Sequence, residues 1–339
     1  MKTLYFKPTL LFAIFSVAVL SLNAQTLKKD FHKEVNTTSA SELIIDNQFG
    51  KVTFTDWDQN KIVIDVNIGV TGNDNSKTQK LLDKINIVYK EDGSKIKVKT
   101  DIANGGNVDL KTSKTEKQTF KIDYTVKCPR SLNFKIDNQF GDVILSTFSG
   151  LVSIDLQFGS LNAIDLSGPE TKLDLQFGGA TIGTLKNAKI DIQHCDLLKI
   201  TDGGDLSIDG QFTGIEIGQV SLLKADLNSC KLTVEGLKEI LKLDANMGST
   251  KIENVTSDFK SLTIEQNMGD ITIGIDPKAG YKLSADVNMG SIKVPEGMKL
   301  IKEKETDLPG VTENKVTGTY GNGSSVVKIH ANMGSVKIK

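Results

Sequence analysis

The sequence predicts an all-β fold: a parallel β-solenoid with rungs of about 18 residues, behind an N-terminal β-rich cap region that holds one short helix. Three observations predict it. A five-residue signature returns at a nearly fixed interval, apolar and polar residues alternate within each repeat, and the signature closes on glycine in most copies. A fixed period marks a repeat architecture. Alternation with period two marks a half-buried strand. Glycine suits a tight corner that a β-carbon would obstruct.

The signature is clearest in Asp137-Asn-Gln-Phe-Gly141, Asp155-Leu-Gln-Phe-Gly159 and Asp174-Leu-Gln-Phe-Gly178. Degenerate copies begin at Asp191, Asp209 and Asp226, and Asn-Met-Gly forms begin at Asp244, Glu265, Asp286 and His330. Their closing positions lie 18, 19, 17, 18, 17, 18, 21, 21 and 44 residues apart. An early copy, Asp46–Gly50, stands alone near the start. The period is too short for tetratricopeptide, ankyrin or propeller repeats. Each repeat has room for two short strands, as in Leu241–Met247 followed by Thr250–Val255. An antiparallel sandwich would leave the recurrence of the signature unexplained.

Stacking turns sequence positions into columns about 4.8 Å apart. The Phe and Met positions, Phe140, Phe158, Phe177, Phe212, Met247, Met268, Met289 and Met333, are expected to point inward as core. Pointing outward are the acids, an amide column from Gln139 to Asn332, and a lysine column containing Lys135, Lys172, Lys189, Lys224, Lys242 and Lys328. Stacked amides can hydrogen-bond along the axis. Stacked carboxylates repel, and the lysines offset much of that.

Along the chain, residues 1–24 carry Lys2 and Lys7, an apolar stretch and a small residue at Ala24. This resembles the signal peptides of Gram-negative bacteria, with cleavage after Ala24. The apolar stretch is short for a transmembrane anchor, which needs about 20 residues. An exported chain in the periplasm, at the cell surface or secreted is expected, with no stable membrane insertion after cleavage. Residues 25–130 form the cap region, with strand-like runs at 42–46, 51–55, 61–68, 85–90, 95–100 and 119–127. Ser76-Lys-Thr-Gln79 reads as a capping box opening its helix, and 101–118 as a polar loop. Residues 131–339 hold the repeats, with an excursion at 295–325 before the last strand. A solenoid end exposes strand edges, so the N-terminal part is either a cap or a distorted first stretch of the same solenoid.

Composition narrows the function. Basic and acidic residues balance at 41 against 42, and removing 1–24 leaves 39 against 42. A nucleic-acid binder would carry a basic surplus. Arg130 is the single arginine, so an arginine cluster for bidentate anion capture is excluded. His32, His194 and His330 lie far apart, and no zinc, phosphate-loop or nucleophile-elbow spacing occurs. No cofactor, metal or catalytic residue is expected. The one constellation to weigh is the acidic column: Asp137, Asp155, Asp174, Asp191, Asp209, Asp226, Asp244, Glu265 and Asp286. Carboxylates one rung apart approach the spacing of a retaining glycosidase pair. Stacking produces that spacing at every rung, however, without a pocket. A solvated ladder comes first, a face for weak cation or glycan binding second, and catalysis last.

A strand Gly50-Lys-Val-Thr-Phe54 is followed by Trp57 and Lys61-Ile-Val-Ile-Asp-Val66. Tyr124-Thr-Val-Lys-Cys-Pro129, the short repeats and a closing Gly334-Ser-Val-Lys-Ile338 come later. Over roughly residues 40–339 this resembles the adhesin-like domain family of exported bacterial β-solenoid proteins, whose function is largely unassigned. The resemblance implies a non-enzymatic envelope or surface protein with an adhesin-like structural or binding role. Surface glycans or envelope proteins would be its partners. Two alternatives stand beside it: an enzyme or binding protein acting on extracellular polysaccharide, and a periplasmic signalling accessory. An enzyme would need long insertions that wall a cleft, and the repeats between 131 and 294 vary by only a few residues. Three free thiols are expected, because the Thr213 copy separates Cys195 from Cys230 by two rungs, about 9.6 Å, beyond disulfide reach.

Overall fold

The computed structural model describes residues 25–38, 40–103, 118–302 and 314–339. The leader read over 1–24, most of the polar loop and the middle of the 295–325 excursion lie outside the described residues. The described strands join into one 24-stranded sheet. Each rung has two arms. The first carries the signature, and the second follows the corner that the signature makes.

Both arms stack in parallel and in register. On the first arm Asn133–Phe140 lies beside Val152–Leu166, whose start lies beside Thr171–Gln176, and so on through Ser261–Met268. On the second arm Val143–Phe148 opens the equivalent stack. Inward columns such as Ile136, Ile154, Leu173, Ile190 and Ile208 are buried, and so is the facing column through Phe148, Leu166 and Leu185. Parallel strands need cover on the inner face, and here each arm covers the other.

The Phe and Met positions do not point inward. Phe140, Phe158, Phe177, Phe212, Met247, Met289 and Met333 are exposed and Met268 is half-buried. Alternation holds up to the third signature residue and then stops, because the chain turns at the fourth and fifth. The turn swings the fourth side chain to the outside of the corner. The second signature residue is the inward one, and in the first two rungs it is Asn47 and Asn138. Asn47 donates to Asn138 Oδ1 at 3.0 Å and accepts from Thr100 Oγ1 at 3.1 Å, and Thr100 meets the Tyr124 hydroxyl at 2.8 Å. This buried chain of polar groups joins the cap to the stack.

The early copy is itself a rung. Glu42–Phe49 stacks on Asn133–Phe140, and Val52–Trp57 on Val143–Phe148. The following chain folds back beneath this rung. Lys95–Ile102 and Thr119–Pro129 extend the two arms in parallel. Ile85–Asp92, Lys61–Gly72 and an unforeseen strand, Gln25–Asn36, then close the edges antiparallel. The outermost strands are rich in Lys, Asp and Glu, which discourages edge-to-edge pairing. The helix Asn75–Lys84 is capped by Asp74, whose side chain accepts from the Lys77 amide. The expected cap at Ser76 is displaced two residues upstream because Asp74 holds the extended backbone that an N-cap needs.

At the far end the order departs from the chain order. Ser325–Met333 inserts between Ser261–Met268 and Tyr281–Met289. Asn314–Tyr320 pairs antiparallel with the outer edge of Tyr281–Met289, and Lys299–Lys302 pairs with it in turn. The chain therefore straddles Tyr281–Met289. The crossing at 321–324 passes so near Gly280 that a β-carbon there would collide with Asn322. Antiparallel cover on the outer edge obliges the last strand to enter on the inner one.

Candidate functional site

Two surfaces run the length of the stack, and the signature builds both. The first is the acidic face. Strand register places Asp137, Asp155, Asp174, Asp191, Asp209, Asp226, Asp244 and Glu265 in one unbroken column. Asp46 extends it below Asp137. Above Glu265, His330 intervenes before Asp286, with His330 Nδ1 3.8 Å from the Asp286 carboxylate. Lys135, Lys172, Lys189, Lys224 and Lys242 form the neighbouring column, with Ser153 and Ser207 between them. The two columns line an open groove of about 700 Å³. Burial, then the Asp46 charge, pushes the Asp137 carboxyl above its ordinary range, against Lys135, Lys99 and Lys97. Burial raises Asp155 and Asp209 as well, with their acidic neighbours in the column adding to it. The acids therefore sense each other along the axis. Among the described residues no cluster of three metal-ligating side chains occurs.

The amide column has two local solutions. Asn267 donates to Asn246 at 3.1 Å, Asn332 to Asn267 at 3.0 Å and Asn288 to Asn332 at 2.7 Å, a ladder along the axis. The longer glutamines reach back along their own strand instead, Gln193 to Asp191 at 3.0 Å and Gln176 to Asp174 at 3.4 Å.

The second surface is the corner. Phe49, Phe140, Phe158, Phe177, His194 and Phe212 stack ring on ring, with centroids 5.0 to 5.4 Å apart and planes within 10°. Each stacked pair contributes about 0.5–1.5 kcal/mol beyond area burial. Phe120 closes the Phe49 end edge-on at 4.8 Å. Beyond Phe212 the position passes to Ser229, then to Met247, Met268, Met333 and Met289 in spatial order. Exposure rises from 42% at Phe140 to 54% at Phe212. The sequence reading placed these residues in the core. For every Phe and Met position but Phe212, which Thr213 follows, the signal that locates it outside is the next residue, a glycine, because the turn begins before the alternation can complete.

A family model described as Toastrack DUF4097 matches residues 40–339. No curated protein matches. Among solved structures, a protein provisionally named a cell adhesion protein, from Clostridium sporogenes ATCC 15579, is 14% identical. The similarity covers 92% of this chain and 99% of that one, with a TM-score of 0.23. A provisionally named adhesin from Bacteroides fragilis NCTC 9343 is 9% identical over 92% and 97% of the two chains, with a TM-score of 0.27. A provisionally named lipid-binding protein from Parabacteroides distasonis ATCC 8503 is 10% identical over 91% and 96%, with a TM-score of 0.29. Superpositions this loose bear on neither detail nor function. Among the described residues no helix is long and apolar enough to cross a membrane.

Proposed function

The chain belongs to the Toastrack DUF4097 family, and from that premise we propose that it is an exported, non-catalytic scaffold of the cell envelope or surface, with an adhesin-like role. The observation that carries this is the corner stripe, an exposed line of stacked rings and then methionines with a gap at Ser229. Stacking steadies the fold through the ring faces, yet the outer ring edges stay exposed from Phe140 to Phe212, which supports contact with another surface. The acidic and lysine columns offer a second, polar line for glycans or envelope proteins. Repeats of nearly constant length supply no walls around a cleft, which supports a binding role over turnover of polysaccharide.

Cell fractionation with protease shaving of intact cells tests the reading. The expected result is a processed chain in the envelope fraction that surface protease degrades. A chain retained in the cytoplasm with residues 1–24 intact would overturn it. So would polysaccharide turnover that disappears on changing Asp155→Asn.

A further inference from the structure

We infer that the corner stripe is the docking surface for a second copy of this chain, paired antiparallel about a two-fold axis between the Phe212 and Ser229 rungs. The inference stands on the stripe itself and does not depend on where the protein resides.

The stripe is two-part along its length. Rings occupy the cap-proximal half, and small or flexible side chains the distal half. Reversing one copy against another about the Phe212/Ser229 boundary brings unlike halves together. Phe212, the most exposed phenyl ring of the ladder, then meets Ser229 of the other copy. Phe177 meets Met268, and Phe140 meets Met289. Each ring edge from Phe140 to Phe212 finds a thioether or a gap, and sulfur contacts at ring edges are favourable. Ser229 is a shaped gap, since its φ of 58° matches the 51° of Phe212. Its β-carbon therefore leaves the corner as the rings do, with no ring attached.

Pairing about an axis along the stripe would place each residue on itself, ring edge against ring edge and gap against gap. The antiparallel arrangement avoids this. It also sets amide column on amide column, Gln211 opposite Asn228, and amides both donate and accept. The stripe holds no Asp, Glu, Lys or Arg, and the reversal sets its one imidazole, His194, opposite Met247, so no like charges meet. Each exposed ring offers on the order of 80–100 Å², and the paired stripes with their amide flanks reach ~1,500 Å², the size of a standard specific interface.

The test is the mass in solution of the full-length chain, expressed with its own N-terminus, by light scattering over a concentration series. Native chain is expected to dimerise. Ser229→Phe fills the gap while adding apolar surface, and should weaken dimerisation at least tenfold. Phe212→Ser combined with Ser229→Phe exchanges knob and gap between the copies and should restore the dimer. Circular dichroism confirms that each variant folds, which the left-handed backbone of Phe177 and Phe212 permits at position 229. A native chain that stays monomeric into the high micromolar range overturns the proposal. Stronger association of Ser229→Phe would also overturn it, because it would indicate indiscriminate stickiness without a register.

Discussion

Phe177, His194, Phe212 and Ser229 hold φ between 51 and 58°, a region that L-residues rarely adopt. In these rungs the turn falls one residue earlier than in the glycine rungs, where Gly141, Gly248 and Gly269 take the positive φ. The fifth residue then points inward, which is why Cys195, Thr213 and Cys230 are buried at positions that glycine fills elsewhere. Each directs its side-chain donor at the carbonyl two residues back: Cys195 to Gln193, Thr213 to Gln211 and Cys230 to Asn228. Small size with a donor fits this corner. Thiol counting in denaturant should return three, and a count of one would mean that the corner assignment is wrong. The acidic column makes a second residue-scale prediction. Asp155 titrates above the ordinary 3.8 because burial and then Asp137 and Asp174 oppose its charge. A raised carboxyl pKa means that the folded state binds its proton more tightly than the unfolded chain. The penalty is therefore absent below pH 3.8 and grows as pH rises through the folded value. Asp155→Asn should stabilise the protein at pH 7 by on the order of 0.5 kcal/mol. The difference in melting temperature from native should vanish below that pH.

At the scale of the element, the strands were legible and the corners were not. Alternation in Leu241–Met247 identifies a strand and its buried face, and Leu241, Leu243 and Ala245 are buried as it requires. The same alternation continued one step too far buries Met247, which is exposed. Period-two arithmetic cannot detect a turn from within, so alternation alone carries no sign of the ring ladder. The lone signature copy at Asp46–Gly50 shows the opposite case. Its sequence marked a rung, but the residues between it and Asp137 concealed that the two stack directly. The corners also separate two kinds of substitution. A β-carbon at Gly248 would strike the Cys230 carbonyl, at a φ of 127°. Gly248→Ala should destabilise the protein by ~3 kcal/mol or more, whereas Cys230→Ala at the adjacent corner should lose only about 1 kcal/mol. Chemical denaturation of both measures the contrast. Equal effects would mean that the two corners share one geometry.

For the whole molecule, a stack of rungs is stable only when both ends are closed. Here each end is closed by chain that leaves the repeat and returns. At the N-terminal end the return spans 61–129 and is long enough to build strands and a helix. At the other end Asn314–Tyr320 and Lys299–Lys302 cover the outer edge of Tyr281–Met289, and Ser325–Met333 enters beneath it. Chain order alone would have stacked the Glu265 and Asp286 copies directly, and no local pattern in the sequence signals the insertion. The insertion matters to function because it sets the order Met268, Met333, Met289 along the stripe. Paired cysteines at outward positions of the acidic column test this order most directly. Neighbouring rungs lie about 4.8 Å apart, within disulfide reach, and rungs two apart lie beyond it. The order predicts that Glu265→Cys with His330→Cys, and Asp286→Cys with His330→Cys, crosslink on mild oxidation, while Glu265→Cys with Asp286→Cys does not. Ready crosslinking of the last pair, with none to position 330, would contradict the architecture and the order of the stripe.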